Sequence, residues 1–324
     1  MRTTRWLRRL LLVFLLYLGV CVIGGIFVAD GALHPARRLL TDTDVTAMRG
    51  SAHTLDAELS DASLTTHDGV ILRAWMIQPH HANGDAVLLL HGLSDNRLGM
   101  TGYAQLLLAR GFTVLMPDAR AHGVSGGMLA TYGLLERNDI QQWVDFLSAQ
   151  NHPRCIFGFG ESMGAAQLLQ SLDAPSRFCA VVAESSFASF REIAYDRMGQ
   201  PFHLGPWVGR TIFRPLVEVA FLRARWKYGR DMESISPEDS IAATTTPVLL
   251  IHGQIDSNIP VRHSRLIHAH NLHTQLWEVW GADHCGAIST APAEFQQRVL
   301  SFIGGNSKAP AEKQRFASTK KEMP

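Results

Sequence analysis

Short apolar runs that alternate with helical segments constrain the fold of this chain more than any other feature. Residues 86–90, Ala-Val-Leu-Leu-Leu, are apolar on both faces, as in a central strand that is covered on both sides. Further strands are predicted at 112–116, 155–159 and 178–183, and helices at 101–110, 134–150 and 165–172. Because strands that alternate with helices are joined by right-handed crossovers, the sequence predicts an α/β fold with a mostly parallel sheet.

A hairpin and an insertion interrupt this alternation. Residues 64–77 predict an antiparallel hairpin, since Asp68-Gly69 supplies the positive φ angles of a tight turn. After Glu184 the alternation stops, and it returns with a strand at 247–251. A helix at 262–271, a strand at 275–280 and a helix at 293–303 then follow. Residues 185–241 are therefore predicted to form a helical cap inserted after the sixth strand.

Residues 10–29 form an apolar run without a charged residue. At about 1.5 Å per residue, a helix of this length spans about 30 Å of hydrocarbon. Arginines at positions 2, 5, 8 and 9 precede the run, whereas Asp30, Arg37 and Arg38 follow it. By the positive-inside rule, the N-terminus is cytoplasmic and the following domain extracytoplasmic. A cleaved signal peptide is the alternative, but its apolar core would be too long and no small-x-small site ends it. The sequence thus predicts an uncleaved single-pass anchor that binds the chain to a membrane.

One short motif indicates chemistry. Gly160-Glu161-Ser162-Met163-Gly164 fits the pattern G-x-S-x-G between a predicted strand and a predicted helix. Such a turn exposes the serine hydroxyl at the carboxyl end of the sheet, and the glycines allow the helix to approach the strand. The alternative is a glycine-rich turn without a catalytic role. The position between strand and helix favours Ser162 as a nucleophile.

Two later residues supply the partners that a serine nucleophile needs. Asp256 follows the strand at 247–251 and His284 follows the strand at 275–280, so both are expected at the sheet edge that carries Ser162. His284 would accept the Ser162 proton, and Asp256 would hold the imidazole tautomer. The backbone N–H groups of Met163 and of Leu93, in the turn after the third strand, are predicted to form an oxyanion hole.

The region from residue 64 to 303 resembles the α/β-hydrolase superfamily. The resemblance is to the branch of serine aminopeptidase-like hydrolases and membrane-bound Bem46-like proteins. It rests on His91-Gly92, the loop 118–125, the Ser162 elbow, His252-Gly253 with Asp256, and His284. It implies a triad of Ser162, Asp256 and His284, and ester, thioester or peptide substrates. That branch usually has glycine where this chain has Ala121, which puts the geometry of the loop in question.

With this resemblance the predicted organisation is complete. It comprises a cytoplasmic N-terminus (1–9), a transmembrane anchor (10–29), a tether (30–60), an α/β-hydrolase domain (61–303, cap at about 185–241) and a disordered tail (304–324). The predicted function is hydrolysis of a carboxylic ester, thioester or amide through an acyl-enzyme, without cofactor or metal, on a small-molecule or lipid-like acyl substrate.

Two other functions stay open at this point. An acyltransferase could use the same triad, and a binding protein could keep the fold without catalysis. Haloalkane dehalogenase and epoxide hydrolase chemistry would need a carboxylate in place of Ser162. The net charge of +1 and the pI near 7.8 give no electrostatic reason to expect nucleic acid as a partner.

Several other residues receive structural interpretations. Asp283 is a rival acid, but adjacency to His284 prevents its carboxylate from reaching the imidazole from behind. His91, His122 and His252 are expected to support their turns. The four histidines between positions 263 and 273 lack a shared face and predict a solvated helix surface instead of a metal site.

The cysteines and the cap complete the sequence-based expectations. Cys155 and Cys179 begin neighbouring strands and are expected to be buried free thiols, with a disulfide as the alternative in an oxidising compartment. The aromatic and basic residues of the cap allow it to rest on a membrane as an acyl-binding lid.

Overall fold

The strands pair into one sheet in the computed structural model, which describes residues 2–173 and 176–307. They are β1 (Ala57–Thr65), β2 (Ile71–Pro79), β3 (Ala86–Leu90), β4 (Thr113–Pro117), β5 (Ile156–Glu161), β6 (Phe178–Glu184), β7 (Val248–Gly253) and β8 (Gln275–Val279). Their order across the sheet is β1-β2-β4-β3-β5-β6-β7-β8. β2 is antiparallel to both of its neighbours, whereas the strands from β4 to β8 run parallel. The predicted α/β fold with a mostly parallel sheet is confirmed.

Helices fill the crossovers and the insertion. They are α1 (Arg2–Leu33), α2 (Asp42–Thr54), α3 (Thr101–Leu108), α4 (Glu136–Asn151), α5 (Met163–Gln170), α6 (Phe190–Gly199), α7 (Trp207–Arg210), α8 (Arg214–Tyr228), α9 (Pro237–Ser240), α10 (Arg262–His270), α11 (Ala287–Thr290) and α12 (Pro292–Asn306).

The central strands are buried on both faces because the two sides of the sheet carry separate apolar cores. Along β3, Val87 and Leu89 point into one core, which also contains Trp277. Leu88 points into the opposite core, with Trp143 of α4. Since side chains alternate along a strand, a strand with two buried faces has no polar position, which accounts for its continuous apolar sequence.

The chain divides into two compact units. Among the described residues, the sheet unit comprises 35–173, 176–188 and 236–307, and the insertion unit comprises 2–34 and 189–235. The insertion unit is shorter than the predicted cap at both ends. The backbone N–H of Ser185 donates to the Ile251 carbonyl at 2.9 Å, and the Asn271 side chain donates to the Ile241 carbonyl at 2.9 Å. These bonds hold both flanks of the predicted cap in the sheet unit.

The segment predicted as a tether is part of folded structure. α1 continues to Leu33, and α2 begins with a capping box in which Thr41 and Asp44 bond each other's backbone N–H. β1 begins at Ala57, four positions before the predicted domain boundary, because Ala57 and Leu59 alternate inward with exposed residues. The sequence of this segment looks polar because only one face of each element is buried.

Three further expectations from the sequence differ from what the structure shows. α12 continues to Asn306, past the predicted start of the tail, and residues 308–324 of that tail lie outside the described residues. His263 is buried and accepts the Ala188 backbone N–H at 3.1 Å, so it does not belong to a solvated surface. The expectation of free thiols at Cys155 and Cys179 is wrong: the two form a disulfide, because pairing of β5 with β6 brings their Cα atoms within 5.7 Å.

Candidate active site

Ser162 occupies a sharp turn between β5 and α5. Its backbone has φ +51° and ψ −114°, in the region that favours glycine. A non-glycine residue there costs about 1–3 kcal/mol and persists only where its surroundings fix it. Here the Ser162 N–H donates to the carbonyl oxygen of Glu184 at 2.8 Å, which fixes the turn to the end of β6.

Two glycines make this turn possible. A Cβ atom at Gly160 would stand 2.6 Å from the backbone of Gly164. A Cβ atom at Gly164 would stand 2.3 Å from the carbonyl oxygen of Leu90, in β3. Both contacts are too short for any side chain, so the close approach of strand, turn and helix requires glycine at each position.

The structure brings the three predicted side chains together. The Nε2 atom of His284 lies 2.9 Å from Ser162 Oγ, and its Nδ1 atom lies 2.9 Å from Asp256 Oδ2. Because an ionised carboxylate only accepts hydrogen bonds, Nδ1 carries the proton and Nε2 is free to accept the serine proton. The imidazole is thus placed as a base toward Ser162.

Asp256 is held as an ionised group. Its side chain is fully buried, and its Oδ1 atom accepts the backbone N–H groups of Asn258 and Ile259 at 2.9 and 2.7 Å. Burial alone would raise the pKa of Asp256. Hydrogen bonds from His252, His284 and Ile259 outweigh burial and hold the pKa well below its usual range.

His252 is a second histidine on the same carboxylate. Its Nε2–H donates to the Ile259 carbonyl at 2.7 Å and also lies 3.2 Å from Asp256 Oδ2. Its Nδ1 atom accepts from the Ser264 hydroxyl at 2.6 Å. His252 thus supports its turn, as expected, and it also lies against the Asp256 carboxylate.

Asp283, the rival acid, has a different task. Its Oδ1 atom accepts the backbone N–H groups of Ser257 and His284, each at 2.8 Å. These bonds join the loop that carries Asp256 to the loop that carries His284. The Asp283 carboxylate therefore fixes the backbone of these two loops, whereas the Asp256 carboxylate contacts the imidazole of His284.

The turn after β3, which contains Leu93, lies beside Ser162. A Cβ atom placed on Gly92 would stand 3.6 Å from Ser162 Cβ. His91 fixes this turn: its Nδ1–H donates to the Gly92 carbonyl at 2.7 Å, and its Nε2 accepts the Ala119 N–H at 3.0 Å. Met163 is the first residue of α5, where backbone N–H groups lack partners within the helix.

The loop 118–125 is fixed by a buried ion pair. Asp118 accepts Arg97 Nε at 3.0 Å and Nη2 at 2.7 Å, and both side chains are almost completely buried. Ala121 stands where that branch usually has glycine. Its backbone has φ +61°, so it adopts the left-handed conformation that alanine disfavours. The Nδ1–H of His122 donates to the Arg120 carbonyl at 3.0 Å, in agreement with the expectation that His122 supports its turn.

A pair of acids lies behind the site: Glu184 is fully buried and Glu161 is partly buried. From the sequence, Glu161 is expected to be a structural or rim residue, and Glu184 is not singled out. Glu161 and Glu184 are register partners at the ends of β5 and β6. Glu184 accepts the Tyr103 hydroxyl and the Ala287 N–H, each at 3.0 Å, so this one residue holds the serine turn and the chain after His284. The sequence signal for Glu184 is a glutamate that ends the apolar run Ala-Val-Val-Ala at the sheet edge that carries Ser162.

Burial makes this pair sensitive to pH. Burial, and then the charge of Glu184, raise the pKa of Glu161 from 4.5 to about 8. Burial also raises the pKa of Glu184. Between pH 4.5 and about 8 the folded chain therefore retains a proton that the unfolded chain releases, so stability falls as pH rises through this window.

Substituting Glu161→Gln tests this pH dependence. Glutamine stays neutral, so the variant should lose less stability between about pH 5 and about pH 9 than the parent, by a few kcal/mol. Urea unfolding of the full chain in detergent at both pH values measures the difference. Glu58→Gln, at an exposed position of β1, is the matched control. An identical loss of stability in the parent and Glu161→Gln would contradict the buried, protonated state of Glu161.

The sheet order and the Ser162 elbow define an α/β protein whose reactive groups lie at the carboxyl edge of its sheet. A family model described as an alpha/beta hydrolase family matches residues 87–298. This match covers more than half of the chain, so the chain belongs to the alpha/beta hydrolase family and is a hydrolase. The resemblance to this superfamily seen in the sequence is confirmed.

Individual relatives agree with this assignment. The uncharacterized protein YqkD of Bacillus subtilis is 30% identical over 239 residues, which are 72% of this chain and 76% of the relative. The uncharacterized protein YfhR of Escherichia coli is 29% identical over 250 residues, 74% of this chain and 78% of the relative. Among solved structures, the esterase Pf2001 of Pyrococcus furiosus is similar with a TM-score of 0.67 and 26% identity, over 85% of this chain and 98% of the esterase.

Proposed function

We propose that this hydrolase cleaves carboxylic esters through a triad of Ser162, His284 and Asp256. The observation that carries the proposal is the unbroken chain of contacts from Ser162 Oγ to His284 and from His284 to Asp256, each 2.9 Å long. The similarity to the Pf2001 esterase supports an ester as the substrate class.

The chemistry follows from these positions. Ser162 Oγ attacks the ester carbonyl carbon while its proton passes to His284 Nε2. The resulting imidazolium is stabilised by the Asp256 carboxylate, and we assign the oxyanion to the N–H groups of Met163 and Leu93. Collapse of the intermediate breaks the carbonyl carbon–alkoxide oxygen bond, and the leaving alcohol takes the proton from His284. Water then repeats the sequence on the acyl-enzyme and releases the acid.

Hydrolysis of p-nitrophenyl esters of increasing acyl length by the full chain in detergent tests the proposal. Release of p-nitrophenol with saturation in ester concentration is the expected result, and the acyl length of highest kcat/KM gives the chain preference. Absence of turnover with every ester, in protein whose unfolding remains cooperative, would contradict the proposal and favour a binding protein with this fold.

We also infer that α1 anchors the chain in a membrane, with the sheet unit outside the cytoplasm. Residues Arg5–Leu33 form a helix long and apolar enough to cross a bilayer, with a mean hydropathy of 2.8 and 11% of the apolar window buried. The disulfide between Cys155 and Cys179 independently supports an oxidising compartment for the sheet unit.

Cysteine accessibility in acid-quenched cells tests this location. Without reductant, an alkylating reagent in denaturant should modify Cys21 and Cys285, the two free cysteines, and after reduction it should modify all four. The double variant Cys155→Ser, Cys179→Ser is the control and should give two modifications with and without reductant. Four modifications without reductant in the parent chain would contradict an extracytoplasmic sheet unit.

A further inference from the structure

The chain between α1 and α2 lies against the turn that follows β3. We define the strap as residues 35–41, which have no regular secondary structure, and the oxyanion turn as residues 91–96. The side chain of Asn96 donates from Nδ2 to the backbone carbonyl of Arg38 at 2.9 Å. The guanidinium of Arg38 pairs with Asp95 at 2.7 Å. The strap is thus bonded to the C-terminal end of the oxyanion turn.

Of these two contacts, the one made by Asn96 is sheltered from solvent. Asn96 is completely buried, and its Oδ1 atom accepts the Leu98 backbone N–H at 2.8 Å. The exposed fractions of the Arg38 and Asp95 side chains are 54% and 25%. Exposed ion pairs contribute only about 0–1 kcal/mol, whereas a buried polar group that loses its partner costs about 1–3 kcal/mol. The Asn96 amide therefore makes the stronger connection to the strap.

The oxyanion turn needs such connections because its backbone is strained. Ser94 has φ +60°, a conformation that costs a residue other than glycine about 1–3 kcal/mol and persists only where the surroundings fix it. The side chain of His91 fixes the beginning of the turn, as described above. Asn96 fixes its end, so Leu93 lies between two points at which the turn is held.

The strap is also bonded to the loop that follows β4. Arg37 donates to the backbone carbonyls of Ser125, at 2.8 Å, and of Gly127. The buried ion pair of Arg97 with Asp118 joins the same loop to the chain directly after the oxyanion turn. The strap, the oxyanion turn and the loop therefore hold one another through three separate sets of bonds.

The chain is fixed on both sides of the strap. Before it, α1 packs against α8 within the insertion unit. Three residues of α8 contact Asp30 of α1, which accepts the Tyr228 hydroxyl at 2.8 Å and Lys227 Nζ and Arg223 at 3.2 Å each. After the strap, the capping box described above begins α2. These contacts hold the chain in the insertion unit just before the strap and in the sheet unit directly after it.

We propose that the strap is a positioning element for catalysis: its bond to Asn96 holds the Leu93 N–H where that group can donate to the oxyanion. This role depends on the proposed function, in which the N–H groups of Leu93 and Met163 stabilise the oxyanion. Removal of a whole donor lowers turnover by about 10²–10³-fold. Release of the strap keeps the donor but lets it move, so a smaller loss in kcat is expected. KM should change little, because these donors act on charge that develops in the transition state.

Replacing Asn96 in the full chain in detergent tests this role. Asn96→Asp keeps Oδ1 as the acceptor for the Leu98 N–H but loses the Nδ2 donor to the Arg38 carbonyl. With a p-nitrophenyl ester as substrate, kcat should fall by about 10–100-fold while KM stays within about threefold. Asn96→Ser removes the same donor without adding a charge and should show the same effect, which provides a second variant if the first folds poorly.

Asn271→Asp is the matched control. Asn271 Nδ2 donates to the Ile241 carbonyl at 2.9 Å, and its Oδ1 accepts the His273 backbone N–H at 3.0 Å, so this asparagine makes the same kinds of bond as Asn96. Asn271 precedes β8 and therefore lies at the opposite edge of the sheet from the catalytic groups. Its variant should lose stability in urea unfolding but keep the kcat of the parent.

Hydrogen–deuterium exchange supplies a readout that does not depend on turnover. Peptides that cover residues 91–96 should exchange faster in Asn96→Asp than in the parent, and at the parental rate in Asn271→Asp. Parental exchange in Asn96→Asp would show that the strap does not hold the turn. Parental kcat in Asn96→Asp, or an equal fall of kcat in both variants, would show that this hold does not serve catalysis. Absence of ester turnover in the parent would instead contradict the proposed function, and with it the catalytic role of the strap.

Discussion

Replacing Ser162 with alanine is expected to abolish labelling by a fluorophosphonate probe and to lower kcat for a p-nitrophenyl ester by about 10⁴-fold or more. The hydroxyl is the only group that His284 Nε2 is placed to deprotonate at 2.9 Å in the described site, and alanine leaves no nucleophile there. In-gel fluorescence and steady-state kinetics on the full chain measure the two effects.

A second serine variant separates loss of the nucleophile from general damage. Ser289 is exposed in α11 and its hydroxyl donates to the nearby Gly286 carbonyl at 3.0 Å, so Ser289→Ala should label and turn over like the parent. Persistent labelling of Ser162→Ala, traced by peptide mapping to another serine, would remove Ser162 as the nucleophile.

The second large effect is expected from Asp256→Asn. The amide N–H of asparagine would face His284 Nδ1 and favour the tautomer in which Nε2 carries the proton, so the imidazole could no longer accept the proton of Ser162. We expect kcat to fall by about 10⁴-fold, with little change in the binding of ester. The pH dependence of kcat/KM of the parent chain should show one base whose protonation abolishes activity.

The neighbouring acid supplies the matched comparison. In Asp283→Asn the side-chain oxygen can still accept the N–H groups of Ser257 and His284, so loss of activity should stay within about tenfold. An equal loss in both variants would show that sequence order and geometry had assigned the wrong carboxylate.

The central sheet could be predicted because each buried strand has a recognisable pattern in its own local sequence. β3 is apolar at every position, and the alternation of such runs with helices specifies parallel crossovers without knowledge of long-range contacts. The positions of Ser162, Asp256 and His284 follow from the same logic, since all three end or follow strands that point in one direction. The predicted ends of strands and helices were less accurate: β1, for example, begins at Ala57, before the predicted domain boundary at residue 61.

Features that depend on register or on distant partners could not be read from the sequence. The pairing of Cys155 with Cys179 follows from the alignment of β5 with β6, which includes an irregularity between Ile156 and Phe157. Glu184 serves the site through a neighbouring strand and the chain after His284, and no local pattern indicates either contact. The packing of α8 on α1 joins two segments that the sequence presents as an anchor and a separate cap helix.

The partners of Asp30 have a consequence for how the protein is made. Arg223 and Tyr228 stand 193 and 198 positions later in the chain. At about 5–20 residues per second, a ribosome needs about 10–40 s to reach them after it has made α1. If α1 is the membrane anchor proposed above, its carboxylate lacks these partners during that time. Only when α8 has been synthesised can these contacts form, so the first helix of the chain acquires the partners of its carboxylate late in synthesis.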